Sequence, residues 1–313
     1  MAIEKPESVY RHAVENQYGL GAFNTFSLES ITAVMEAAER QKSAAIIQVS
    51  MGARKYVKYL KTYVDIIKLM AEHYSVPFFI QHDHCSNTEA CKEAIAAGCQ
   101  AVMFDGSHLS FEENVRQTKE IVQYAHKRGI WVEAELGRLP GFEDFIFSEN
   151  AEYTDPQKAK RFIEETECDA LAVAMGTSHG GVKGTDYLPF DFERFQQVVD
   201  LMPGYPFVLH GAASLPPELI AACNEQGGKV EYLRNCSEDS IAKAVSIGAK
   251  KVNMDVDNFL VSTTAVRKFL NEKPSVYDPR KYLEPARDAF QKEVEHKMQY
   301  VLRSAGKYRE GEK

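Results

Sequence analysis

The sequence predicts an α/β protein, a (β/α)8 barrel with additional helices at its C-terminal end. Three observations predict it. Short β-rich runs alternate with longer segments of helical periodicity. Eight such units fit within about 240 residues, the size of one barrel. No glycine-rich GxGxxG turn follows the first run, which disfavours a doubly wound open sheet.

In order, the runs are YGLGAFN (18–24), SAAIIQVS (43–50), VPFFIQ (76–81), CQAVMF (99–104), IWVEAEL (130–136), DALAVAM (169–175), PFVLH (206–210) and AKKVNM (249–254). Near-continuous apolar runs of this length belong to parallel strands covered by helices. Helix-like stretches lie between them: 28–42, 87–98, 111–129, 156–167 and 237–248. Ser27 and Asn87 supply capping side chains at two starts, and Gly98, Gly129 and Gly248 stand at ends. Two further helical segments, 262–272 and 284–304, follow the eighth strand, and then a polar tail, GKYREGEK. No low-complexity linker or composition break interrupts the chain, so residues 1–313 read as a single domain.

With 44% apolar residues in 313, the chain can bury a large core. A formal net charge of −8 argues against nucleic acid or an anionic membrane surface as a partner. No apolar run approaches the ~20 residues that span a bilayer, and the start, MAIEKPESVYRHA, lacks a signal-peptide core. Cysteines 85, 91, 99, 168, 223 and 236 show no paired metal spacing and read as reduced thiols. These features lead to the expectation of a cytoplasmic globular protein.

A barrel of this kind builds its active site at the C-terminal ends of its strands. Standing there, strand by strand, are Asn24; Ser50; Asp83 and His84; Asp105 with His108; Glu133 and Glu135; His179 in GTSHGG; His210 followed by GAAS; and Asn253, Asp255 and Asp257. Three of these histidines, His84, His179 and His210, come from strand ends far apart in sequence and converge on one mouth. Three neutral imidazoles with an open fourth position are the layout of a catalytic zinc or similar divalent ion. Asp105 or Glu135 could orient such a ligand or bind the ion alternately; the plainer alternative is a pairing with a lysine of the barrel layer. His12, His73, His126 and His296 lie in helical or flanking segments and read as surface or packing residues. In QHDHC (81–85), His82 and His84 at i, i+2 leave three readings open locally: a metal clip, one ligand beside a catalytic acid, or a polar strand end. The small residues of GTSHGGVKG (176–184) and HGAAS (210–214) let backbone N–H groups approach an anion, to which Lys183 could add charge.

The set QHDHC, VMFDGSH, VEAELG, GTSHG, VLHGAAS, KVNMDVD and DPRKYL, in this order and spacing, resembles the class II, metal-dependent ketose-bisphosphate aldolases, the fructose- and tagatose-bisphosphate aldolase type. The resemblance runs from about residue 21 to about residue 307. It implies a carbon–carbon lyase that cleaves a phosphorylated ketose reversibly into dihydroxyacetone phosphate and an aldehyde such as glyceraldehyde 3-phosphate. It also implies His84, His179 and His210 as ligands of Zn2+ or another divalent ion, with Asp105 and Glu135 beside them. Asp83 would carry the C4 hydroxyl proton, and Glu143, in LPGFEDF, would work on the ketone's carbon acid. Gly180, Gly211, Ser214 and the segment Asn253–Val256, with Asp255, would surround the ketone-side phosphate, with a monovalent cation nearby. Asn24 and Ser50 would contact substrate. Arg280 would reach a neighbouring subunit's site, which implies a homodimer or homotetramer. Within QHDHC, His84 becomes the ligand and His82 a neighbour, so strand alternation should break between Asp83 and His84.

Five positions depart from the family pattern. Ala213 and Val256 replace hydroxyl residues of the ketone-side pocket, Phe259 stands where arginine is common, Pro140 replaces a glycine, and Gln81 a histidine. These departures raise the expectation of a substrate without a C1 phosphate, as an alternative to a bisphosphate. A non-catalytic metal-binding barrel and a metal-dependent hydrolase are the readings from other classes.

Overall fold

The computed structural model describes residues 2–138, 141–143, 146–148, 152–178, 182–184, 186–234 and 236–308. All eight expected strands form: β1 (Leu20–Asn24), β2 (Ala45–Val49), β3 (Phe78–Cys85), β4 (Ala101–Phe104), β5 (Trp131–Leu136), β6 (Ala170–Val173), β7 (Phe207–Leu209) and β8 (Ala249–Met254). Each pairs in parallel with its chain neighbours, and β8 returns to β1 to close the barrel. Short antiparallel pairs, Gly141–Glu143 with Ile146–Ser148 and Val182–Lys183 with Leu233–Arg234, lie in the connections after β5 and after β6 and β7.

Twelve α-helices surround the barrel among the described residues: α1 (Pro6–Glu15), α2 (Leu28–Gln41), α3 (Met51–Val57), α4 (Leu60–Ala71), α5 (Thr88–Ala97), α6 (Phe111–His126), α7 (Pro156–Thr166), α8 (Phe192–Leu201), α9 (Pro217–Glu225), α10 (Glu238–Ile247), α11 (Val256–Glu272) and α12 (Pro279–His296). Most capping signals do what the sequence led us to expect, though α6 ends at His126, three residues before Gly129. Ser27 forms a capping box with Ser30 at the start of α2, Asn87 caps α5, and Gly98 ends α5 in the left-handed region that glycine enters without strain. Two boundaries differ from expectation. Asp255 caps α11 six residues earlier than periodicity indicated, and α12 begins at Pro279 and carries Pro285 in its interior, where proline ordinarily marks a helix boundary.

The interior of the barrel is layered. At the bottom, Leu20, Ala22, Ile46, Phe79 and Ala101 pack with Val9, Tyr10 and Ala13 of α1, which plugs that end. Tyr10 stacks on Trp131 with ring centroids 4.9 Å apart. Above this apolar layer the inward positions turn polar, beginning with Gln48, Gln81, Glu133 and Lys251, all fully buried.

Outside the barrel, Glu39 at the end of α2 ties down the turn before β3. Its carboxylate accepts from Ser75 N at 2.7 Å, Ser75 Oγ at 2.6 Å, Val76 N at 3.3 Å and Lys42 Nζ at 2.7 Å. Partial burial alone would raise its pKa, but these donors outweigh burial and hold it at about 2, against an ordinary 4.5. A carboxylate depressed in the folded state stabilises above its unfolded pKa and loses that contribution as pH falls through the folded value. Glu39→Gln should therefore cost about 1–2 kcal/mol at neutral pH. Urea denaturation across the acid range should show the gap to wild type closing between about pH 4.5 and pH 2.

Candidate active site

At the mouth the strands deliver their polar residues to one point. Gln81 and Asp83 face the barrel axis, as the alternation of β3 requires: Gln81 Nε2 donates to Glu133 Oε2 at 2.8 Å, and Asp83 accepts from Asn253 Nδ2 at 3.1 and 3.3 Å. His84 should then face outward, but its ring centroid lies 4.7 Å from that of His210. The backbone explains the reversal. His84 adopts φ of 41°, and the β3–β4 register shifts between His82 and Cys85. A left-handed non-glycine residue costs about 1–2 kcal/mol, and here it turns two consecutive side chains toward the mouth. His82 stays outside the constellation; its Nδ1 lies 3.0 Å from the Asp83 carbonyl and 3.3 Å from Cys85 Sγ.

His210 is gripped from two sides. Its Nε2 meets Glu133 Oε1 at 2.7 Å, and its Nδ1 meets Glu135 Oε2 at 3.2 Å. Glu133 in turn accepts both bonds of the Lys251 ammonium, at 2.8 and 3.0 Å. Burial would raise the Glu133 pKa, but Lys251 and His210 bring it down to about 2. Burial likewise disfavours a charged His210, yet Glu133 and Glu135 outweigh it and raise the ring to about 9. On the other side of the opening, His84 Nδ1 lies 3.1 Å from Asp105 Oδ2, and Asp105 Oδ1 accepts from Ser107 N at 3.0 Å. Those contacts overcome burial and hold Asp105 well below the usual carboxylate range.

Two sets of donor atoms, Asp83–His84–His210 and His84–Asp105–Glu135, each converge within 4.8 Å. All five side chains are buried. Bonds of about 2.0–2.2 Å, the length zinc makes to nitrogen and oxygen, reach such donors from one centre with small side-chain adjustments. The donor set therefore fits a divalent ion. Asp105 beside His84 and Glu135 beside His210 stand where the sequence placed possible orienting carboxylates.

Sequence reasoning singled out other residues that stand around the same opening. Asn24 Nδ2 donates to Asp255 Oδ2 at 3.4 Å, while Asn24 Oδ1 has no hydrogen-bond partner among the described residues. Ser50 caps α3. Gly211, at φ of 58°, sits with its backbone against Ser178; a Cβ there would approach the Ser178 carbonyl carbon to 2.7 Å. Ser214 is buried, and its hydroxyl is engaged by Lys297 and Glu238 behind the loop. Phe259, in the first turn of α11, packs edge-on against Phe26 at 5.4 Å. Arg280 is far more open, with its side chain 89% exposed and paired to Asp278. His179, Gly180 and Pro140 lie outside the described residues, as do the side chains of Glu143 and Lys183.

Glu133, Gln81 and Lys251 were missed as a supporting network. Glu133 was visible as a second glutamate two residues from Glu135, but its partner lies 118 positions away. Among the described residues it is Glu133, and neither Asp105 nor Glu135, that pairs with a barrel lysine. Lys251, in β8, reaches the layer directly beneath His210 through Glu133. Gln81 donates its amide to the same carboxylate, a bond that an imidazole could also make.

The chain matches the family model described as fructose-bisphosphate aldolase class-II over residues 4–307. It is 41% identical over 293 residues to a fructose-bisphosphate aldolase of Thermus caldophilus, covering 93% of this chain and 95% of that one. A fructose-bisphosphate aldolase of Giardia intestinalis is 42% identical over 281 residues, with 88% and 86% covered. Among solved structures, the YdjI aldolase from Escherichia coli K12 superposes with a TM-score of 0.78 at 28% identity, covering 98% of this chain and all of that one.

The charge network predicts two separable effects. Glu133→Gln leaves the Lys251 ammonium buried and unpaired, and should cost about 3–5 kcal/mol in urea denaturation. Glu133→Gln combined with Lys251→Met should recover most of that loss. The double variant should still bind Zn2+ about 10–100-fold more weakly in chelator competition, because His210 has lost one of its two carboxylate partners; wild-type affinity would show that Glu133 does not support a metal ligand.

Proposed function

This chain belongs to the class II fructose-bisphosphate aldolase family, and we propose that it cleaves fructose 1,6-bisphosphate reversibly into dihydroxyacetone phosphate and glyceraldehyde 3-phosphate. The family is metal-dependent, and the enzyme is an aldolase, a carbon–carbon lyase of carbohydrate metabolism acting on a sugar phosphate. The observation that carries the reading is the convergence of Asp83, His84 and His210 donor atoms within 4.8 Å at the barrel mouth. The fructose-bisphosphate names of relatives at 41 and 42% identity do not favour the alternative of a ketose without a C1 phosphate.

In this reading His84, His179 and His210 hold Zn2+, with Asp105 and Glu135 as orienting or alternate ligands. The ion, when bound, supplies Lewis-acid polarisation of the ketone carbonyl. The protein's own groups do the rest. Asp83 takes the C4 hydroxyl proton as the C3–C4 bond breaks, its carboxylate aimed by the Asn253 amide. C4 leaves as the aldehyde, and the bonding pair stays on C3 beside the carbonyl. Glu143 returns a proton to C3 and removes it in the condensation direction. Asn24, through its unsatisfied Oδ1, accepts from a substrate hydroxyl. Ser50 also contacts substrate.

Gly180, Lys183, Gly211, Ser214, Asn253 and Asp255 form or support the ketone-side phosphate pocket, with a monovalent cation nearby. With Ala213 and Val256 offering no hydroxyl, backbone N–H groups carry most of that phosphate. Arg280, exposed on α12, serves the site of a second copy, so the enzyme is a homodimer or homotetramer. No described helix is long and apolar enough to cross a membrane, and we place the enzyme in the cytoplasm, in glycolysis, as one domain spanning residues 1–313.

A coupled assay for triose phosphate release tests the reading. Cleavage of fructose 1,6-bisphosphate should vanish on chelation and return with Zn2+ or Co2+. Asp83→Ala should lower kcat by about 10²–10⁴-fold with Zn2+ still bound. A metal-loaded enzyme that releases no triose phosphate would sink the reading.

A further inference from the structure

Behind the loop after β7 lies a charged cluster that the reaction above does not use. The Lys297 side chain is 1% exposed. Its ammonium donates to Ser214 Oγ at 2.5 Å and Glu238 Oε1 at 2.6 Å, with Glu293 Oε1 at 2.9 Å and Asp257 Oδ2 at 3.4 Å. These partners come from four places. Ser214 belongs to the loop after β7, Asp257 and Glu238 to the first turns of α11 and α10, and Glu293 to the preceding turn of α12. The backbone also changes at this residue, where α12 passes into a π-helical turn, Lys297–Val301. Such turns recur where a side chain must be placed for function.

The charges do not cancel. Three carboxylates face one ammonium, and the His296 ring adds a contact to Glu238 at 2.8 Å. Burial pulls the Lys297 pKa down, but Asp257, Glu293 and Glu238 outweigh it and hold it above the usual lysine range. Ser214 ends the first segment assigned to the ketone-side phosphate, and Asp257 directly follows the second. Without the ammonium, fully buried Asp257 would be an uncompensated negative charge behind loops that must receive a phosphate dianion.

We propose that Lys297 is a positioning residue for phosphate binding at the ketone end of the substrate. It fastens the loop after β7 to the start of α11 and offsets part of the negative charge behind both, so that loop N–H groups meet the phosphate in a fixed, less repulsive cradle. It touches no substrate and acts through Ser214 and Asp257. The proposal rests on the functional reading above, because it takes those two segments as the phosphate pocket.

The test is aldol condensation by the metal-loaded enzyme, with each substrate varied in turn. Lys297→Met should raise KM for dihydroxyacetone phosphate by about 10–100-fold and leave KM for glyceraldehyde 3-phosphate within about 2-fold. Inhibition by inorganic phosphate should weaken in parallel. Adding Asp257→Asn, which removes one surplus carboxylate, should recover part of the loss, and Lys297→Arg should rescue more than methionine does. Should Lys297→Met fail to fold, Lys297→Gln carries the test, because it keeps an amide donor for Ser214 and removes the charge; the ketone KM should again rise alone. Unchanged or equally changed KM values, with or without a fall in Tm, would overturn the proposal and leave Lys297 a stability residue. A wild-type enzyme that performs no condensation would instead overturn the functional reading, and the proposal with it.

Discussion

The mouth of this barrel depends on a charge pair one layer beneath it. Glu133 and Lys251 are fully buried and bonded to each other across the interior. A lone carboxylate at that depth would protonate, and a lone ammonium would shed its proton. Together they stay ionised, and the ionised carboxylate has capacity left for Gln81 and for His210 Nε2. The imidazole is thereby held on one edge and presents its other edge to Glu135. An imidazole held in this way would lose little entropy on meeting a cation.

Around that anchor, the mouth is assembled by two local devices. The first is strand alternation, which carries Gln81 and Asp83, Glu133 and Glu135, and Lys251 and Asn253 inward in successive layers. The second is a departure from alternation at His84, where a positive φ adds a second inward side chain to β3. Asp83 and His84 thus come from adjacent positions yet both face the site, as their proposed roles of proton carrier and metal ligand require. The strain is small beside the packing of the neighbouring strand and helix.

The loops that the proposed reading assigns to the ketone end depart from the family pattern at Ala213, Val256 and Phe259. Ala213 and Val256 remove hydroxyls, and Phe259 packs on Phe26 where a cation is usual. Behind the loops stands Lys297, bonded to Ser214 and facing Glu238, Glu293 and Asp257. Gly211 lets the loops after β6 and β7 meet backbone to backbone.

By itself the sequence determined the eight strands, their parallel order and the residues that gather at their C-terminal ends. Parallel strands buried on both faces are apolar runs bounded by capping and glycine signals, so they can be read locally. The family motifs added the separate roles of Asp83 and His84. Only the tertiary structure decided how those residues are supported. Glu133 finds Lys251 across 118 residues, and Lys297 finds Ser214 across 83, through the closure of the barrel and the docking of its last helix. The start of α11 and the interior proline of α12 were equally hidden, because packing against α2 and the neighbouring helix overrides the local signal. Pairings of that kind depend on register and closure, which no local pattern of residues encodes.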